Sequence, residues 1–237
     1  MITNNELKTI KSLKFKKYRD KFSLFIAEGY KIVNELYHSK IDTEEIYSTI
    51  NYEKINSKII NELEMKKISS LKSPSKILGV FKIPKNNEKI FGELILCLDN
   101  ISDPGNLGSI IRLCDWFNIK SILCSFNTVD CYNPKVIQAS MGSISRVSCY
   151  YFNILEFLKK SNKKIYGAFL DNSSSIYSTD FERNSIIVIG SESTGISNEI
   201  SKLIENRITI PRFNNNKYPE SLNINSAVSI ILSEFYK

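Results

Sequence analysis

LILCLDNISDPGNLGSIIRLCDWF, residues 94–117, is the stretch from which the fold can be read. It opens with five apolar residues, Leu94 to Leu98, a run short enough for a strand buried on both faces. Turn formers follow from Asp99, with Pro104-Gly105 enforcing a change of direction and Asn106 placed to cap a helical pattern over Gly108 to Phe117. A strand passing through a tight turn into a helix is half of a parallel βαβ unit.

The same signal recurs outward from it. Short apolar runs lie at Ser121 to Cys124, Val147 to Tyr151, Ile165 to Phe169, Ile186 to Ile189 and Ile208 to Ile210. Helical patterns lie at Asn133 to Ala139, Ile154 to Lys160, Asn198 to Ile204 and Leu222 to Tyr236. This alternation predicts an α/β fold with a parallel sheet covered on both faces. Upstream, Phe22 to Ala27 (FSLFIA) reads as a strand and Tyr30 to Tyr37 as an amphipathic helix. Ile46 to Ser48, a helical pattern through Ile59 and Leu63, and a strand from Ile77 to Phe81 complete a small α/β module. The polar run Lys85 to Lys89 marks the boundary, giving domains 1–88 and 89–237.

Charge divides the 237 residues at the same place. Residues 1–91 hold 18 basic and 11 acidic side chains, while 92–237 hold 14 of each, so the whole net charge of +7 lies in the first part. Its densest segment, Leu7 to Lys21 (LKTIKSLKFKKYRDK), carries seven basic residues against Asp20, with Leu13, Phe15 and Tyr18 interleaved. It reads as a basic helical arm, either for a polyanion such as nucleic acid or as a solvated helix face. Lys14, Lys16, Lys17 and Arg19 are its candidate RNA contacts.

Several chemistries are excluded. His38 is the only histidine, which removes Ser-His-Asp triads, Cys-His pairs and most metal sites. The five cysteines are odd in number and lack metal-ligand spacing, so no disulfide framework or zinc ribbon is expected and the reducing cytoplasm is the expected compartment. The N-terminus lacks a signal-like apolar core, and no run of 18 apolar residues is present.

In α/β sheets, ligands sit beyond the carboxyl ends of strands. Three such places carry polar groups. The first is the Asp99 to Gly108 turn leading to Arg112, a long cation set among Ile110, Ile111 and Leu113. The second is Gly190-Ser191-Glu192-Ser193-Thr194-Gly195, where two glycines flank one carboxylate; it is not a phosphate-binding P-loop, since no Lys precedes the Ser/Thr. The third is Ile210-Pro211 and, after a polar loop, Glu220-Ser221-Leu222-Asn223-Ile224-Asn225. Each alone is also what an ordinary corner, glycine turn or N-cap would show. Together they describe polar groups arranged around a small molecule, with no metal.

Taken jointly, DPGNLGSIIR (103–112), IVIGSESTG (187–195) and IPRFNNNKYPESLNIN (210–225) resemble the three signature motifs of the SpoU (TrmH-like) RNA ribose 2′-O-methyltransferases of the SPOUT superfamily. NPKVIQASMGSISRV (133–147) fits the same pattern, and KYRDKFSLFIAEGYKIVNEL (17–36) is similar to the family's L30e-like RNA-binding domain. The resemblance covers nearly the whole chain. It implies a SPOUT-type sheet with a C-terminal trefoil knot, an exception to unknotted connection. It also implies a homodimer formed through the C-terminal domain, and S-adenosyl-L-methionine as cofactor. By motif position Gly190, Ile210 and Leu222 would contact the cofactor, Arg112 matches the family's catalytic arginine, and Asn106, Glu192, Ser221 and Asn223 match its supporting polar residues.

The implied reaction is methyl transfer to a ribose 2′-hydroxyl of tRNA or rRNA. Arginine is a poor base in water, so Arg112 either takes the proton with help from the site or orients the ribose and stabilises the developing alkoxide. The chain departs from the family pattern in a longer loop between Ile210 and Ser221, Asn214 in place of glycine, Ser193 in place of glycine, and Asn225 in place of a small residue. Two other functions are compatible with parts of the pattern: a non-catalytic RNA-binding or ribosome-associated protein, and a SPOUT enzyme methylating a base nitrogen.

Overall fold

All six residues of Leu94–Asp99 are buried, as a strand in the middle of a covered sheet must be. The computed structural model describes residues 2–85, 90, 92–170, 173–213 and 221–237. In chain order the elements are α1 (Asn4–Ser12), α2 (Lys16–Phe22), β1 (Leu24–Glu28), α3 (Tyr30–Tyr37), β2 (Thr43–Ser48), β3 (Lys58–Ile59), α4 (Glu62–Ile68) and β4 (Ile77–Lys82). They continue with β5 (Leu94–Asp99), α5 (Pro104–Trp116), β6 (Ser121–Cys124), α6 (Pro134–Ser140), β7 (Ser148–Tyr151), α7 (Ile154–Lys160) and β8 (Lys164–Ala168). Last come β9 (Ser174–Ser175), β10 (Ser185–Gly190), α8 (Asn198–Ser201), β11 (Asn206–Thr209) and α9 (Ile224–Phe235). Among the described residues no helix is long and apolar enough to cross a membrane.

The chain forms two units, Met1–Asn87 with Asp130–Ser145, and Glu88–Val129 with Arg146–Lys237. The sequence boundary at 88/89 assigns 130–145 to the second domain; the contacts assign it to the first. The reason is local chemistry: Tyr132 packs its ring on Phe25 of β1, with centroids 4.9 Å apart, and Asp130 binds Arg19. Residues 86–89 of the expected linker lie outside the described residues.

The first unit holds a four-stranded sheet of order β1-β4-β2-β3, in which β4 is antiparallel to β1 and β2, and β3 is parallel to β2. Its helix Tyr30–Tyr37 coincides with the amphipathic pattern and buries Ile32, Val33 and Leu36. Two expectations need correction. The basic arm is two helices rather than one, because the chain turns at Leu13–Phe15 and buries Leu13 completely. The helical pattern drawn through Ile59 and Leu63 is instead the end of β3 followed by α4, which starts at an Asn61–Glu64 capping box.

The second unit holds a seven-stranded sheet of order β7-β6-β5-β10-β8-β11-β9, all parallel. After β5 the chain adds β6 and β7 on one side; β10 then returns to pair with β5, and β8 and β11 lie on the other side. This reversal makes a crevice at the carboxyl ends of β5 and β10, where Asp99 and Gly190 are register partners. Strand β9 has no counterpart in the sequence reading: two serines carry no apolar signal. The expected knot depends on the path of residues 214–220, which lie outside the described residues.

Candidate active site

The first loop is built around Asp103. Its carboxylate accepts from Asn106 N at 2.8 Å and caps α5, and Pro104 occupies the first helical turn. The helix therefore begins four residues before the expected Gly108, and Asp103 rather than Asn106 is the cap. Freed from capping, the Asn106 side chain reaches outward from the first turn.

The second loop follows β10. Gly190 leaves no room for a side chain, since a Cβ there would fall 2.0 Å from the carbonyl carbon of Gly195. The chain doubles back through Gly195, at φ +65°, and Ser191 and Gly195 exchange backbone hydrogen bonds of 2.9 and 3.2 Å. Buried Asp99 accepts from Ser197 N at 2.8 Å and ties this loop to β5. The third loop re-enters at Ser221, and Asn223 caps α9 by accepting from Asn225 N at 2.9 Å.

These loops meet at one oxygen. Glu192 Oε1 accepts from Asn106 Nδ2 at 3.1 Å, from Asn223 Nδ2 at 3.4 Å and from Ile224 N at 3.4 Å. Asn225 donates to Asn106 Oδ1 at 2.7 Å. A carboxylate holding two amides and a backbone N–H defines the orientation of each, because only their donor ends can face it.

Beside this cluster lies a cavity of about 750 Å³. Gly190, Ile210, Leu222, Ser221 and Glu192 all line it, along with Ile189, Ile196 and Ile224. Three residues expected to bind a cofactor and two expected polar partners thus share one space. Arg112 does not join them. It lies beyond the first turns of α5, exposed, outside the cavity lining, and with no hydrogen bond or ion pair among the described residues. It shares its helix face with Trp116, which is 85% exposed. Asn214 and Glu220 of the third motif lie outside the described residues. Burial, reinforced by Asp99 and Asp115, pushes the Cys97 and Cys114 thiols far up, so neither is a nucleophile at neutral pH.

Sequence reading gave Asp99 and Asp103 no role, and marked Asn225 only as a departure from a small residue. Asp103 was legible as an Asp immediately before Pro-Gly at a helix start. The partner of Asn225 was not legible, since it lies 119 positions away.

Residues 93–233 match the model of the SpoU rRNA Methylase family, and residues 4–79 match that of the MRM3-like substrate binding domain. The chain belongs to the SpoU rRNA methylase family. This SpoU chain is 25% identical over 245 residues to a 23S rRNA (guanosine(2553)-2′-O)-methyltransferase of Bacillus subtilis, covering 97% of this chain and 95% of that protein. Among solved structures, a TrmH-family protein from Porphyromonas gingivalis is 33% identical with a TM-score of 0.87, covering 99% of this chain and 98% of that one. The AdoMet-bound rRNA methyltransferase from Sinorhizobium meliloti shares the fold at 24% identity, with a TM-score of 0.85 over 99% and 95% of the two chains.

In the first unit, the RNA candidates divide. Lys14, Lys16 and Lys17 are exposed, but Arg19 is 2% exposed. Its guanidinium binds Asp130 Oδ2 at 2.5 and 2.8 Å and the carbonyls of Leu13 and Lys14 at 2.8 and 3.0 Å. Arg19 is therefore a clamp within the unit and not an RNA contact. With four of its five N–H donors engaged from inside and the side chain almost wholly buried, the guanidinium is not presented to a phosphate.

Proposed function

We propose that this SpoU-family chain transfers a methyl group from S-adenosyl-L-methionine to a ribose 2′-hydroxyl of RNA, with ribosomal RNA the substrate best supported by its Bacillus subtilis relative. The observation that carries this reading is the meeting of Asn106, Asn223 and the Ile224 N–H on Glu192, beside the cavity of Gly190, Ile210 and Leu222.

The cavity fits the cofactor in size and chemistry. Its volume is within the usual range for small-molecule sites, its walls include isoleucine and leucine side chains suited to an adenine ring, and Glu192 brings a carboxylate to a site meant for a cation. Gly190, Ile210 and Leu222 would hold the cofactor, and Ser221 would order the third loop around it. When bound, S-adenosyl-L-methionine supplies an electrophilic methyl group on a cationic sulfur.

The chain's own groups have separate roles in this reading. Glu192 fixes Asn106 and Asn223, which keep the first and third loops in place around the reacting atoms. Arg112, exposed and without an internal partner among the described residues, meets the ribose and its phosphate as a donor and offsets the charge that develops on the 2′-oxygen. An arginine outside the lining of its own cavity, beside a bare Trp116, also suits a site completed by a second copy, which supports a homodimer through the C-terminal unit. Lys14, Lys16 and Lys17 would hold RNA phosphates. Five buried cysteines, none in a disulfide, suit the reducing cytoplasm.

The test is transfer from labelled S-adenosyl-L-methionine to total RNA, followed by mapping of ribose methylation. No transfer to any RNA overturns the reading. Arg112→Ala is expected to abolish transfer with cofactor affinity unchanged, and joint neutralisation of Lys14, Lys16 and Lys17 to flatten the salt dependence of RNA binding.

A further inference from the structure

We infer that the corner between α1 and α2 is a stacking site for an unpaired nucleobase, with Phe15 as its platform and lysines on either side for the adjoining phosphates. This rests on RNA being the substrate and adds a second mode of contact to it.

Phe15 is 62% exposed at the start of α2, and among the described residues its ring has no aromatic or cationic partner. The next aromatics along the chain are already engaged. Tyr18 and Phe22 stack on each other with centroids 6.3 Å apart and planes 13° apart, and Lys17 and Lys21 lie over them at 4.8 and 5.5 Å. Of the three rings, Phe15 is thus the one whose faces are open among the described residues.

The corner is held from inside. Leu13 is fully buried, Phe15 N donates to Ser12 O at 2.9 Å, and the Phe15 carbonyl accepts from Tyr18 N at 3.1 Å. Arg19 holds the two preceding carbonyls while anchored to Asp130. A ring presented from a clamped turn loses little freedom on binding, which is the condition under which one aromatic contributes most.

Charge selects the occupant. Lys14, Lys16 and Lys17 flank Phe15 in the sequence and are exposed; Lys14 Nζ donates to the Ser69 carbonyl at 3.2 Å, Lys17 lies over Tyr18, and among the described residues Lys16 is held only by an exposed pair with Asp20 at 3.1 Å, which a phosphate can displace. A basic surface with a free aromatic face matches a strand whose bases are unstacked; in a duplex those faces are covered by neighbouring pairs.

The probe is a fluorescein-labelled oligoadenylate of about twelve nucleotides, compared with its duplex with oligouridylate. Phe15→Ala is expected to weaken single-strand binding about 5- to 100-fold, with the slope of log Kd against log salt unchanged. Phe15→Trp should keep the affinity, and its added emission, above the background of Trp116, should be quenched by the single strand. Phe15→Leu should not restore binding. Affinity of Phe15→Ala within twofold of the original chain, full rescue by leucine, or an equal loss on the duplex overturns the inference. Methyl transfer to total RNA by the unaltered chain is run in parallel. Transfer with unchanged oligoadenylate binding by Phe15→Ala rejects this site alone, whereas neither transfer nor RNA binding by the unaltered chain rejects the underlying function and the site with it.

Discussion

Asn225 donates its amide to Asn106 Oδ1 at 2.7 Å, across 119 positions of sequence. Phe117 and Tyr236, the same distance apart in the chain, stack with centroids 5.6 Å apart. Helices α5 and α9 therefore run side by side, parallel and in register from their first turns to their last. At the start of this pair the direction of every amide is set by Glu192: its carboxylate takes the donor end of Asn106, whose acceptor end takes the donor end of Asn225. The Asn225 Oδ1 left over is buried without a partner among the described residues. Such an orphan acceptor costs about 1–3 kcal/mol. Its retention makes sense if the orientation of Asn106 matters more than local stability.

Asn225→Ala should accordingly relieve the orphan and release Asn106. The expected result is a chain at least as stable in thermal melts, with kcat for methyl transfer lowered about tenfold, roughly the worth of one hydrogen bond. The KM for S-adenosyl-L-methionine should stay where it was. An unchanged kcat would show that Glu192 alone orients Asn106.

Removing the carboxylate is more severe. Glu192→Ala takes the acceptor from two side-chain amides and a backbone N–H. Hydrogen bonds to charged groups contribute about 1.5–3 kcal/mol each, so even one bond's worth lost in the transition state lowers steady-state transfer about 10- to 100-fold, and that is the least expected. Glu192→Gln, which keeps one acceptor oxygen, should fall between the two enzymes.

The Arg19 clamp predicts a contrast within seven residues of α2. Arg19→Ala leaves Asp130 and two carbonyls without their donor and should destabilise the first unit by about 3–5 kcal/mol in urea melts. Lys16→Ala, which breaks only an exposed pair with Asp20, should stay within about 0.5 kcal/mol. Equal effects would remove the distinction between clamp and RNA contact.

A pH effect follows from Glu6. Lys58 Nζ at 2.7 Å, and then the Thr3 N–H and hydroxyl of the helix cap, hold its carboxyl down to about 2. The folded value lies below the unfolded one, ~4.3, so the stabilisation is present above that value and is lost as pH falls toward 2. Because the pair is partly solvated, its worth is about 1 kcal/mol. Glu6→Gln should cost that amount at pH 7 and progressively less as pH falls from about 4 through 2, read from urea midpoints across the range.

Much of this molecule was legible without coordinates. The buried runs of the second unit became parallel strands because a segment covered on both faces has to be apolar throughout, and that is a local property. Tyr30–Tyr37 is a helix by its own amphipathic pattern. The three polar loops were legible as chemistry because they follow strands.

What periodicity could not supply is the choice of partners. Residues 130–145 read as one more helix of the parallel sheet's domain, yet they pack with the first unit, because Tyr132 and Asp130 find Phe25 and Arg19 there. Arg19 and Lys16 look alike in sequence, two cations on a basic arm. One is buried and one is solvated, and only the arrival of a carboxylate 111 residues away decides which. Likewise Asn225 reads as a departure from a small residue until α5 and α9 come into register and give its amide a task. Pattern along the chain determined the strands, the helices and the loops that follow them; the fate of each long or polar side chain was settled by which distant donor or acceptor folding brought within 3 Å of it.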